Sequence, residues 1–282
     1  MKNIICFIAL FLMSFSAFSQ IKVSLQTKIS KYLSYERIIM TVTVQNNTGT
    51  TLRFDDNEES YMNFIVADKK NKRVYVKKAY KNFNHIYNAM ITAGASKSYS
   101  VAVNQYYPMS ESGHYEIKAV VVHKKLNFSY NSNPIRVLVR EGSSVLKRKE
   151  DFGIKSGKKI LTRQYDLLSF RADRYDMLCI RIEDEDKIYA IKRLAPMASS
   201  VRPTHFIDAR SQIHVLMQTD SKTFKYWKFA HDGKQINRTK VYPVVGEIIP
   251  RLVRDPDIGR VKVIAPIPLD GEMGSDIPLL DK

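Results

Sequence analysis

The feature that most constrains this chain is a two-residue alternation of apolar and polar side chains, repeated in short runs over most of its length. In residues 38–45 (IIMTVTVQ), Met40, Val42 and Val44 fall on one face, and Thr41, Thr43 and Gln45 on the other. Successive side chains of a β-strand leave opposite faces, so a run of this kind buries one face and wets the other. Tyr99, Val101 and Val103 repeat the pattern, as do Tyr115, Ile117, Ala119 and Val121. So do Ile135, Val137 and Val139, and then Leu178, Ile180 and Ile182. Gly, Asn, Asp and Pro divide the runs, each suited to turns for its own backbone reason. Residues 64–67 and 73–76 flank the polar segment DKKNK and are expected to pair as a hairpin. Asp232-Gly233 is the strongest hairpin signal in the chain, because that dipeptide accepts positive φ. The expected fold class is all-β: an antiparallel sandwich over residues 20–140, then a second antiparallel β-meander domain over residues 164–265.

Residues 1–19 follow a different logic. Met1-Lys2-Asn3 is a short positive start, residues 4–13 (IICFIALFLM) are ten apolar residues, and residues 14–19 (SFSAFS) are small-residue rich. Ala17-Phe18-Ser19 fits the small-x-small rule, which predicts cleavage of a signal peptide before Gln20. The uncharged run 4–19 has sixteen residues, short of the roughly 20 that a spanning helix needs. The reading is therefore an exported protein: periplasmic, cell-surface or secreted. Cys6 lies inside the expected signal and only Cys179 follows it. No internal disulfide is expected despite an oxidising compartment, and Cys179, in the strand-like MLCIRI, reads as a buried thiol.

Removal of residues 1–19 leaves 44 lysines and arginines against 28 acids, a net charge of +16. An excess of this size favours polyanions and anionic surfaces. For an exported protein these are envelope glycopolymers and membrane head groups, and no nucleic-acid partner is expected. Lys69, Lys70, Lys72, Arg73, Lys77 and Lys78, with Lys81, surround one expected hairpin, and Tyr75 and Tyr80 stand among them. These are the candidate anion-binding residues; a solvated hairpin tip is the plainer reading of such a run. A second basic run comprises Lys147, Arg148 and Lys149, followed by Lys155, Lys158 and Lys159.

Residues 141–163 are polar, basic and punctuated by Gly and Ser, the composition of a linker. A short helix is expected near residues 165–172. Residues 266–282 form a Pro-rich, acidic tail that cannot build long regular elements.

The stretch YLSYERIIMTVTVQNNTGTTLRF, then Gly113-His114-Tyr115-Glu116-Ile117, then Ser132-Asn133-Pro134-Ile135 resembles the immunoglobulin-like sandwich modules of bacterial exported proteins. It is similar in particular to the proteinase-inhibitor-like β-sandwich type. The resemblance covers about residues 21–140 and implies a fold and no functional residue, since it lacks the Cys pair and Trp of antibody-type domains. Residues 165–245, with Asp208-Ala-Arg-Ser-Gln212 in the position of an Asp-x-x-Gly-x repeat turn, resemble β-propeller blades. Ser211 stands where such repeats carry Gly, and the unit has room for about two blades where a closed propeller needs about four or more.

No catalytic or cofactor motif is present, neither a G-x-S-x-G elbow nor HExxH nor paired C-x-x-C. Six histidines occur, among them His214, six residues after Asp208, and His231, next to Asp232. A His-Asp pair can orient a general base, but no nucleophile accompanies either pair. Two acidic clusters, residues 55–59 and 183–186, read as solvated turns sooner than calcium loops. Alternation sets Phe224 with Tyr226 and Trp227 with Phe229, so one pair is expected to be exposed, and Tyr226 and Trp227 are the candidate partner patch. The function expected is a non-enzymatic binding or scaffold protein of the envelope, without a cofactor, engaging a partner protein or an anionic polymer; an oligomer is compatible with it. The alternatives are a polysaccharide-acting accessory enzyme, with Asp208 and Glu183 as acid and base, and a protease inhibitor.

Overall fold

The fold was established from a computed structural model, which describes residues 20–265 except 56–58, 82, 127, 157–158 and 199–200. The expected signal segment, the 266–282 tail, Lys158 and the centre of the 55–59 acidic cluster lie outside the described residues. The chain divides into two compact units between Arg140 and Glu141, and both are all-β.

The first unit contains β1 (Ile21–Gln26), β2 (Lys31–Leu33), β3 (Ile39–Asn46), β4 (Leu52–Phe54), β5 (Tyr61–Ala67), β6 (Arg73–Val74), β7 (Ala89–Ile91), β8 (Ser96–Ala102), β9 (Gly113–Val122), β10 (Tyr130–Asn131) and β11 (Ile135–Arg140). A one-turn helix, α1 (Val103–Tyr106), follows β8. One sheet has the order β1-β3-β8 and another β2-β11-β9-β5-β6, with β10 beside β9 and β4 paired to β7. All pairings are antiparallel except β2 with β11. The inward faces of the two larger sheets meet in one core. Leu25, Val42 and Val44 come from one sheet, and Val66, Ile117, Ala119 and Val121 from the other. That arrangement is compatible with a β-sandwich. In β3 the expected face is the buried one: Met40, Val42 and Val44 are fully enclosed while Thr41 and Thr43 are half-exposed. The hairpin around DKKNK forms with Val66 opposite Val74 and Ala67 opposite Arg73.

The second unit contains β12 (Ser143–Ser156), β13 (Lys159–Arg171), β14 (Asp176–Glu183), β15 (Ile188–Pro196), β16 (Thr204–Ile207), β17 (Ile213–Gln218), β18 (Thr223–Phe229), β19 (Lys240–Pro243), β20 (Arg251–Arg254) and β21 (Val261–Ile264). Two consecutive four-stranded meanders, β12-β13-β14-β15 and β16-β17-β18-β19, are followed by the hairpin β20-β21. Tyr165, Leu167, Ile180 and Ile182 of the first meander pack with Ile213, Val215, Trp227 and Phe229 of the second. The opposite face of the second meander, with Leu216, Phe224, Tyr226 and Tyr242, packs on Leu252 and Val261 of the hairpin. The second meander is thus a middle layer, buried on both sides. Among the described residues, no helix is long and apolar enough to cross a membrane.

Two expectations are corrected here. Residues 141–163 are not a linker; they carry β12 and the start of β13, whose ladder runs from Ser143 opposite Ser169 to Ser156 opposite Lys159. β12 is the edge of its sheet, and an edge strand bearing Lys147, Arg148 and Lys149 has the composition of a linker because charge is what keeps an edge from pairing with other chains. The expected helix near residues 165–172 is instead the second half of strand β13, which runs to Arg171. Tyr165 and Leu167 face one core while Leu168 and Phe170 are buried on the other face, so no wet face remains to reveal the two-residue period.

Left-handed turn residues join these strands. Ser211, where a repeat turn carries Gly, has φ 56°, the same region as Asn71 at 58° and Gly233 at 81°. A Cβ on Gly233 would stand 2.5 Å from the Ala190 Cβ and 3.1 Å from the backbone of Tyr189 in β15. Opposite outcomes are expected at these two positions. Ser211→Gly should stabilise the protein by about 0.5–1 kcal/mol through relief of the left-handed penalty. Gly233→Ala should destabilise it by about 2 kcal/mol or more, since backbone must move as well. Urea unfolding of both variants checks the pair, and equal midpoints would refute the argument.

Candidate functional site

Two constellations carry exposed or functional-type chemistry, one in each unit. The first is the β5-β6 hairpin. Asp68 Oδ1 accepts the amides of Lys70 at 2.8 Å and Lys72 at 2.9 Å, and Asn71 takes the left-handed position. These amide bonds, that of Lys72 foremost, hold the Asp68 carboxyl below its ordinary value. The acid of the DKKNK turn is therefore bound into the turn. Lys69, Lys70, Lys72 and Arg73 project from it, all exposed. None of the four forms an ion pair among the described residues. The Arg73 guanidinium lies 5.8 Å from the ring centre of Tyr75, which is 73% exposed.

The structure does not hold all six candidate cations in one patch. Lys78 opens a one-turn 3-10 helix, Lys78–Tyr80, beyond the hairpin. Lys77 turns to the α1 end, its Nζ donating to the carbonyls of Gln105 at 2.8 Å and Asn104 at 3.3 Å. A cation there satisfies the orphan carbonyls of a helix C-terminus, a role that composition alone does not reveal. Beyond it, Tyr80, Phe83, His85 and Tyr106 form an aromatic cluster in which His85 and Tyr106 meet edge-on at 4.5 Å. Burial among these rings pushes the His85 imidazole down to about 4.

The candidate partner patch is corrected. Tyr226 and Trp227 are buried, at 7% and 4% exposure. Alternation does send them to opposite faces of β18, but each face has its own layer above it: Trp227 enters the inter-meander core and Tyr226 the core under β20-β21.

Tyr226 belongs instead to the second constellation, on the β20-β21 side of the second meander. Asp208 closes the β16-β17 turn, with Oδ1 accepting the amides of Arg210 at 2.9 Å and Gln212 at 3.0 Å. Its Oδ2 meets His214 Nε2 at 3.0 Å and lies 3.6 Å from Lys228 Nζ. His214 Nδ1 is 2.7 Å from the Tyr226 hydroxyl. The carboxylate accepts, so His214 carries its proton on Nε2, and Nδ1 accepts from Tyr226. Burial lowers the His214 value, and the Asp208 contact that favours its charged form does not offset this. Burial acts upward on Asp208, but the donors from His214, Gln212 and Arg210 outweigh it and the carboxyl sits below its ordinary value. Tyr226 is pushed up to about 12, chiefly by burial.

Asp208 and His214 were legible as a spaced pair; Tyr226 and Lys228 were not. The signal that finds them is register. The β17-β18 turn sets Lys228 opposite His214 and Tyr226 opposite Leu216, which brings the Tyr226 hydroxyl diagonally onto the imidazole. Both ring nitrogens of His214 are occupied, and its phenol partner is held protonated. The trio is built as a rigid polar floor.

Glu183, the other candidate carboxylate, belongs to a separate network. It accepts from Gln164 at 2.8 Å and lies 3.4 Å from Arg181, and burial raises its value. In the neighbouring 183–186 tip, Asp184 takes the amides of Asp186 and Lys187, the Tyr189 hydroxyl at 2.7 Å and Arg163 at 2.5 Å. That carboxylate is saturated by protein donors and held far below its usual range, the Tyr189 bond contributing most. Cys179 is fully buried. No protein-family model matches the chain, and no curated protein matches its sequence.

His85 and His214 are both held neutral in the folded state, so the unfolded chain binds the extra proton at acid pH. Stability is then fully present above about pH 6.5 and falls below it, by up to ~1.4 kcal/mol per pH unit for each group. For His85 the window extends from 6.5 down to about 4. Urea midpoints from pH 7.5 to 4.5 should decline in the native protein, with a visibly flatter decline in His85→Phe. An unchanged slope in that variant would remove His85 from the account.

Proposed function

We propose that this protein is an exported, non-enzymatic binding protein of the cell envelope that engages an anionic glycopolymer through the β5-β6 hairpin of its first unit. The observation that carries the reading is the hairpin tip, where Lys69, Lys70, Lys72 and Arg73 are exposed without ion-pair partners among the described residues while Asp68 is held in the turn. Like charges on one tip repel, and a polyanion relieves that repulsion. Tyr75, exposed beside Arg73, adds a ring face suited to stacking on a sugar.

The export reading rests on the composition of residues 1–19, and it directs the net charge of +16 that follows their removal toward envelope polyanions. We take the first unit as an immunoglobulin-like sandwich. Its orders β1-β3-β8 and β11-β9-β5 support this, as they follow the A-B-E and G-F-C neighbours of that fold. The two four-stranded meanders of the second unit support a reading as propeller-blade-like repeats. Folds of either type host many activities, so the hairpin's chemistry carries the function.

Heparin and polygalacturonate columns test this, with the protein from residue 20 onward applied at low salt. Retention should fall as sodium chloride rises, because the attraction is screened. The Lys69→Gln/Lys70→Gln/Lys72→Gln/Arg73→Gln variant should elute at clearly lower salt, with unchanged circular dichroism. Elution of the variant with the native protein would sink the assignment.

A further inference from the structure

The second unit holds a cleft of about 680 Å³ between the second meander and the β20-β21 hairpin, with the Asp208–His214–Tyr226 trio on its floor. Five cations line it: Arg210 from the β16-β17 turn, Lys228 from β18, Lys240 from β19, Arg260 before β21 and Lys262 within it. Asp208 is the single carboxylate in the lining. Its oxygens are bound to two amides, His214 and Lys228, so it answers Lys228 and leaves the others unneutralised. Arg210, Lys240, Arg260 and Lys262 are exposed and form no ion pair among the described residues.

These four charges come from three separate stretches of chain that only the tertiary structure brings together. The wall bearing Arg260 and Lys262 is docked, not loose. The Ala209 amide donates to the Gly259 carbonyl at 3.2 Å, and Leu252 and Val261 sit in the core beneath. Gly259 has φ 63°, and a Cβ there would stand 3.2 Å from the Ala209 Cβ. The close approach of this wall to the β16-β17 turn thus favours glycine at 259.

From this convergence we infer that the cleft is a binding site for a tetrahedral oxyanion, a phosphate or sulfate group, free or carried as an ester on a small saccharide. Two guanidinium forks present paired donors that match such a group, and two lysines add point charge. On the floor the Asp208 carboxylate is offset by Lys228 at 3.6 Å, and burial keeps His214 neutral and Tyr226 protonated. The volume is of small-molecule size. This site lies in the other unit from the hairpin and stands independently of the glycopolymer reading.

Isothermal titration of the protein from residue 20 onward tests it, with inorganic phosphate, inorganic sulfate and glucose 6-phosphate as probes at constant ionic strength. Saturable binding of at least one probe is expected, weakened about tenfold or more in Arg260→Gln/Lys262→Gln. Lys240→Gln, on a different strand, should weaken it too, which separates loss of charge from a displaced hairpin. Binding of the inorganic ions indicates a free oxyanion, and binding of the ester alone indicates a sugar-borne one; either supports the site. The hairpin variant Lys69→Gln/Lys70→Gln/Lys72→Gln/Arg73→Gln should bind as the native protein does. Absence of saturable binding by all three probes overturns the inference, as does binding that survives both cleft variants or is lost in the hairpin variant. None of these outcomes bears on column retention through the hairpin.

Discussion

A single interaction recurs at six of the described chain reversals: an aspartate Oδ1 accepting backbone amides two to four residues ahead. Asp68, Asp184, Asp208, Asp220, Asp232 and Asp255 all do this. In an all-β chain, register follows from the turn, and a one-residue slip would exchange the buried and wet faces of a whole strand. With Cys179 the only cysteine after residue 19, no cross-link can hold that register, so local turn chemistry must. The Asp side chain does so by satisfying amides that a tight turn would leave without acceptors.

The same device shapes the surface. At Asp68 the carboxyl is taken up by turn amides, and Asp208 answers Lys228 alone among the cations of its cleft, so the tip and the cleft beside these two turns keep their positive charge. Asp68 and the cations around it are one case, and Asp208 and the rim of the second-unit cleft are another. The net positive charge is thereby sharpened into two places, where bound acids stand next to unpaired bases. Stability and anion recognition draw on the same few carboxylates, so an Asp208 substitution would disturb the turn, the imidazole and the cleft at once.

Layering accounts for most of the difference between what composition suggests and what the chain builds. β18 is enclosed on both faces, so its aromatic residues are structural even though their alternation resembles that of a half-exposed strand. β12 has one unpaired edge and exposes Lys147, Arg148 and Lys149, so it is charged enough to look like a linker. In both, hydropathy reports the surroundings of the strand, which depend on elements far away in sequence.

The sequence by itself determined the all-β class, the buried faces of β3, β9 and β11, the hairpins at Asp68 and Asp232, and the excess of positive charge. Each of these is a local property, set by side chains within one strand or one turn. It also made the Asp208–His214 spacing visible, because two residues on one hairpin are neighbours whatever the rest of the chain does. Only the tertiary structure decided that Tyr226 would complete that pair, that Lys77 would serve a helix end, and that Arg210, Lys240, Arg260 and Lys262 would line one cleft. Those outcomes depend on cross-strand register and on the docking of β20-β21. Both are fixed by apolar burial, which constrains where a strand lies without naming which polar residues its rim will bring together.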